Sequence, residues 1–399
     1  MSCEAAPPDA ITLRLDGHTI PVDRAVFSAL FDSSVVHSRR GYVRALETST
    51  VTFSEFVDLA RLADIPYSLF FAPPEVVQAQ LKDKAHKLLA GVSKASFSLN
   101  SRSKVQLRDI ELIVKDVLRK QGVLKDLDRS LVPNTIIDTL RGSRSTVVEA
   151  AAGLRARLDL PLPELRAKRT KELALEYLIE RLEAKQLLVS RSVRGYMPQN
   201  IPQGVKFSGL CVKDKKVPFI FLTGGDVGDN AEPAGRKIFT LALLTVFVAA
   251  GKFAPVSYDD QTGDLIGSRE YEIAEELLMP AAERRSFDTA SLEGAKATAD
   301  RLRVTPSAFV MRARRLGLIT ADQAHDYLDE LAAEFAARPK SRMQPPRPEN
   351  AVRRYAGTEF TRRMLRQLDR RAITAGEFCR VVCLNRLSPG QIPLLQATL

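Results

Sequence analysis

The sequence predicts an α+β protein rich in helix, in which a small antiparallel sheet packs on a buried central helix and helical domains flank both. Three observations lead there. The run Ile238 to Ala250 is the most apolar stretch of the chain, set between Arg236-Lys237 and Gly251-Lys252. It is shorter than the roughly 18 apolar residues that a bilayer span needs, and its apolar residues lie all round the helical projection, so it predicts a helix enclosed on every side. Leu187 to Arg191, Phe207 to Val212 and Val217 to Leu222 have the length and apolar character of short strands. The crossovers of a parallel sheet are not visible, so antiparallel pairing and an α+β class follow.

The 399 residues predict two to four domains, and a composition of 45% apolar and 27% charged residues is that of a soluble globular chain with no call for a membrane. Met1-Ser2-Cys3-Glu4 opens without the basic and apolar stretches of a secretory signal, which sets a cytoplasmic expectation. Four cysteines do not make a disulfide scaffold; Cys379 and Cys383 share a helical face but have no further ligand beside them, so buried thiols are expected. The formal charge of +11 favours an anionic partner, either nucleic acid or an acidic protein.

Ile11 to Leu15 alternates as a strand does, Asp16-Gly17 is a turn signal, and the segment to Thr48 has patchy helical periodicity. Thr52-Phe53-Ser54-Glu55 is a capping box that opens a helix through Phe56 to Ala63, stopping before Ile65-Pro66. Amphipathic helices are expected over 104–118 and 165–185, their charges forming solvated faces. Past the central run, Leu292 to Leu302 and Ser307 to Leu316 have the proportions of helix, tight turn, helix, with Thr305 or Ser307 as cap, Pro306 in the first turn and Gly317 at the end. The second of these helices is expected to expose Arg312, Arg314 and Arg315 to phosphates or base edges. The proline-rich, basic stretch that follows reads as a linker over 339–350, and the densely arginine-bearing 351–399 as a last helical module. Asp226, Asp229, Asp259, Asp260 and Asp264 match no metal-binding loop and read as turns.

A short strand, a glycine and acid loop, a basic pair and then Phe239-Thr240-Leu241-Ala242 opening a buried helix together resemble the ImmA/IrrE family of zinc peptidases, in which that helix continues His-Glu-x-x-His. Here the next five residues are Leu243, Leu244, Thr245, Val246 and Phe247. In the family motif two imidazoles one turn apart bind zinc and the glutamate activates its water, none of which leucine or phenylalanine can do. Thr245 is expected to bond back to the carbonyl four residues earlier. Glu270 to Pro280, ending Leu277-Leu278-Met279-Pro280, resembles the family's third-ligand helix. The ligand position falls near Gly267, or on Glu270 or Glu272 with a small gap, but His18, His37, His86 and His325 are all far away in sequence. The resemblance therefore implies a pseudopeptidase: a zincin-like scaffold with neither zinc nor another cofactor.

Ile65-Pro66, Leu69-Phe70-Phe71 and Pro73-Pro74 resemble the end of the phage-repressor-like helix-turn-helix domain that often precedes such peptidases. The expected division is then a degenerate helix-turn-helix-like domain over 1–80, in which only Arg39, Arg40 and Arg44 offer cations near the recognition helix, a helical connector over 81–186, and a pseudopeptidase domain over 187–338 with helix-turn-helix-like helices at 292–317. The resemblance implies a non-catalytic regulatory or binding protein, an antitoxin or a regulator linked to phages and mobile elements. Its partner would be a protein, such as a toxin from a neighbouring gene, whose acidic site Arg362, Arg363 and Arg366 would cover, with operator DNA as a second partner. Two alternatives stand beside it: a DNA-binding transcriptional repressor, and a divergent active metallopeptidase with ligands drawn from elsewhere in the fold.

Overall fold

A computed structural model describes residues 9–37, 39–89, 107–201, 207–224, 232–253, 255–257, 268–337 and 346–399. The chain forms two compact units: Met1–Gly91 with Lys104–Asp116 and Gln199–Val205, and Val92–Ser103 with Val117–Pro198 and Lys206–Leu399.

The first unit contains β1 (Ala10–Leu15), β2 (His18–Asp23), α1 (Arg24–Asp32), α2 (Arg40–Thr48), β3 (Thr50–Thr52), α3 (Phe53–Leu62) and α4 (Pro74–Leu89). Asp16 and Gly17, both at positive φ, form the two-residue loop of the β1–β2 hairpin, the conformation that the Asp-Gly pair favours. β3 pairs with the other edge of β1 in parallel, in the order β2-β1-β3. The domain expected over 1–80 to be helix-turn-helix-like thus carries a three-stranded sheet beside its helices α1, α2 and α3. Phe27, Phe31, Tyr42, Phe56 and Phe70 fill the core, with Phe27 and Phe31 edge to face at 4.9 Å. The capping box is half realised: Thr52 accepts from the Glu55 amide, but the Glu55 carboxylate goes to Arg44 at 2.6 Å. No boundary falls at residue 80, since α4 runs through it.

α5 (Leu107–Leu127) gives residues to both units. The second unit continues with α6 (Val147–Leu158), α7 (Leu162–Ala167), α8 (Lys171–Ala184), β4 (Leu188–Arg191), β5 (Phe207–Val212), β6 (Phe219–Leu222), α9 (Ala234–Ala249), β7 (Pro255–Ser257), α10 (Arg269–Leu278), α11 (Leu292–Arg301), α12 (Pro306–Arg315), α13 (Ala321–Ala337), α14 (Pro348–Ala356), α15 (Thr358–Asp369), α16 (Ala375–Val382) and α17 (Ile392–Gln396). The helix expected over 165–185 is two helices, because the Thr170 hydroxyl caps a new start by accepting from the Leu173 amide.

The class is α+β and helix-rich, but the sheet is mixed rather than antiparallel. Its order is β4-β6-β5-β7, with Leu188 opposite Phe219 in a parallel pair and Cys211 opposite Ile220 in an antiparallel one. β6 inserts between β4 and β5, parallel to the first and antiparallel to the second.

α9 is the enclosed helix that its composition demands, packed against α8, α10, β5 and β6. Gly209 lets β5 come this close, since a Cβ there would lie 2.7 Å from the Phe221 carbonyl oxygen and 2.9 Å from Leu244 Cδ1. The buried end of α9 has all its carbonyls answered. Gly251 at positive φ closes a Schellman turn in which the Lys252 amide reaches Phe247 O, while the Asp138 and Leu140 amides reach Val248 O and Ala249 O.

α14 and α15 pack on β4, so residues 351–399 belong to this same unit instead of a separate module, and α14 begins inside the expected linker. Residues 339–345 of that linker lie outside the described residues. Among the described residues no helix is long and apolar enough to cross a membrane.

Candidate functional site

Two places could carry chemistry: the middle of α9, and α10 where it faces α12. In α9, Leu243, Leu244, Val246 and Phe247 are buried, and Thr245 Oγ1 donates to Leu241 O at 2.7 Å. This stretch offers hydrocarbon and one satisfied hydroxyl.

α10 starts at the Ser268 cap and sets its acids at i, i+3 and i+4 on the side that meets α12. Glu272 pairs with Arg315 at 3.3 Å, Glu276 pairs with Arg312, and Glu275 lies 3.0 Å from Arg315 Nε and 3.6 Å from Arg312 Nη1. Glu275 thus lies between the two guanidinium groups. Burial pushes the Glu275 carboxyl up to about 7 despite both arginines, and it raises the Tyr271 hydroxyl as well. Such a pKa suits a general base, but a base must reach its substrate, and Glu275 is fully buried.

Arg312 Nε also donates to Met279 O at 3.1 Å, Arg155 donates to the Glu276 and Leu277 carbonyls, and Arg166 donates to Leu278 O. Three arginines thus answer the last carbonyls of α10 and its negative dipole end. Arg312 is therefore not the exposed phosphate contact expected of it, and Arg315 is half-buried and doubly paired; Arg314 alone of the three is exposed. Arg155 and Arg166 have no marker in sequence, because their role comes from a helix end more than a hundred residues away.

Glu270, the other ligand candidate, pairs with Lys252 at 2.7 Å. Both line a small open cleft of about 180 Å³ with Arg141, Ser143, Arg269 and Ile273. It is smaller than the roughly 300 Å³ at which ligand pockets begin. It also sits at the negative end of α9, which disfavours an anion. Gly267 and Asp226, Asp229, Asp259, Asp260 and Asp264 lie outside the described residues. Among the described residues, no three or more His, Cys, Asp or Glu side chains come together as a metal-binding group. His37 Nδ1 lies 3.0 Å from Ser34 O, and His325 is 3.5 Å from Asp329. Cys379 and Cys383 are buried, and burial pushes the Cys383 thiol up to about 12, which makes it a poor nucleophile.

Of the three partner-binding arginines, Arg362 and Arg366 are exposed. Arg363 turns inward to Asp128 at 2.7 Å and Glu359 at 2.8 Å. Burial works to raise the Asp128 carboxyl, but hydrogen bonds from Ser130 and Arg363 outweigh it and hold the group below the usual range. Next to this pair, Glu183 is buried and accepts from the Glu359 amide at the start of α15 at 3.0 Å. Burial pushes its carboxyl from the ordinary 4.5 up to about 8. The folded state therefore holds a proton here that the unfolded chain releases. The associated stability is full below about pH 4.5 and declines as pH rises toward 8. Thermal unfolding between pH 5 and 8 should show that decline, and Glu183→Gln should flatten it; an unchanged slope would remove Glu183 as its source.

No family model, no curated protein and no solved structure matches the chain.

Proposed function

We propose that this chain is a non-catalytic regulatory protein on an ImmA/IrrE-like scaffold, an antitoxin or phage-linked regulator that engages a protein partner and operator DNA. The observation that carries the reading is the core of α9. Where the resemblance would put two zinc-binding histidines and a glutamate, the chain has buried Leu243, Leu244 and Phe247, which can neither hold a metal nor activate water. On this reading the protein acts by binding. Arg362 and Arg366, both exposed, are suited to an acidic partner site, where they would speed encounter and set salt sensitivity.

Affinity purification of the tagged protein from its own cells, followed by mass spectrometry and nucleic-acid sequencing of the eluate, tests this. One stoichiometric small protein is expected, and it should be lost from the Arg362→Glu/Arg366→Glu variant. Enriched DNA with no protein would move the reading to a transcriptional repressor, which the basic charge also favours.

A further inference from the structure

We infer that three turns of the second unit form one basic surface that docks on the phosphate backbone of double-stranded DNA. The inference rests on the DNA half of the reading above and is independent of the protein partner. The turns are the α7–α8 connection at 166–171, the segment 281–286 after α10, and the α11–α12 turn at 300–305. The structure ties each to the other two. Arg303 donates to Arg166 O at 2.8 Å, Lys171 reaches Asp300 at 2.6 Å and Val304 O at 2.7 Å, Arg166 pairs with Glu283 at 2.8 Å, and Arg301 donates to Ser286 O at 2.7 Å.

Within these turns eight Lys and Arg side chains meet only two carboxylates, Glu283 and Asp300, and each of those is already paired. Arg169, Arg284 and Arg285 are exposed and make no ion pair with another described residue, which leaves them available to a ligand. Lys168 lies over the Tyr177 ring at 4.3 Å. The amino ends of α8 and α12, capped by Thr170 and Thr305, start at this same surface and add their positive dipole ends.

A protein partner would need aromatic or aliphatic anchors, and among the described residues the only large apolar side chain exposed in or beside these turns is Leu173. Phosphates need cations and helix ends, and both are here. The surface uses the α11–α12 turn, as the sequence suggested, but through its rim and not through the buried Arg312 or the half-buried, doubly paired Arg315.

The test measures binding of the full chain to a random-sequence DNA duplex over a range of salt. The Arg169→Ala/Arg284→Ala/Arg285→Ala variant is expected to bind about tenfold more weakly or worse. It should also lower the slope of log K against log salt by about 2–3, because each lost phosphate contact removes about 0.9 of a released counterion. The same three positions changed to lysine should keep binding, and Arg362→Ala/Arg366→Ala should leave affinity and slope unchanged. The inference is overturned if the triple alanine variant binds like the parent chain, if the lysine variant loses binding, or if the Arg362 and Arg366 control loses as much. Displacement of the duplex by polyglutamate at equal charge would also overturn it, assigning the surface to an acidic protein. A parent chain that binds no duplex would end this inference while leaving the protein-partner reading to its own pull-down.

Discussion

Arg312→Ala is expected to cost about 3–5 kcal/mol of stability, the range for breaking a buried ion pair by removing one partner. Arg314→Ala, two residues along the same helix, should stay within about 0.5 kcal/mol. Arg312 is 3% exposed; it faces Glu276 and Glu275 and donates to Met279 O. Its loss leaves two carboxylates and a helix-end carbonyl in the interior with too little positive charge, and Arg315 alone then faces Glu275. Arg314 is exposed, so its truncation removes little but a solvated charge. Urea midpoints of the two variants give the comparison. Equal stability, with DNA binding lost on Arg312→Ala, would put Arg312 on the surface and reverse its role.

Leu244→Ala should destabilise by about 3–5 kcal/mol, since the site cannot collapse around the cavity. Leu244 is fully buried, and its Cδ1 lies against Gly209 on β5, where backbone already touches side chain. Leu244→Met conserves volume and should cost less than about 1.5 kcal/mol. The measurement is again the unfolding midpoint, and an alanine variant as stable as the methionine one would mean that α9 is not the centre of the core.

The elements legible in the sequence were those whose signal is local. The apolar run fixed α9 as a buried helix, and Thr305, Pro306 and Gly317 marked the ends of α12. Thr245 bonds back to Leu241 as a threonine in an apolar helix is expected to. What was not legible depends on partners distant in the chain. The insertion of β6 beside β4 is a matter of topology, so the sheet came out mixed. Thr50 to Thr52 is too short to show its period and gains strand character only by pairing with β1. Arg312 and Arg314 look alike in sequence, and only the rotation of α12 against Glu276 sends one inward and leaves the other in solvent. The basic surface is not legible in the sequence because its cations are spread over three segments that meet only in the fold.

Elemental analysis of the purified chain, after chelation, zinc reconstitution and dialysis, tests the central claim most directly. The account predicts no stoichiometric zinc and no cleavage of peptide substrates, because positions 243–247 supply no ligand and Glu270 and Glu272 are engaged by Lys252 and Arg315. One retained zinc per chain, with metal-dependent cleavage abolished by Glu270→Ala or Glu272→Ala, would contradict it and restore the peptidase.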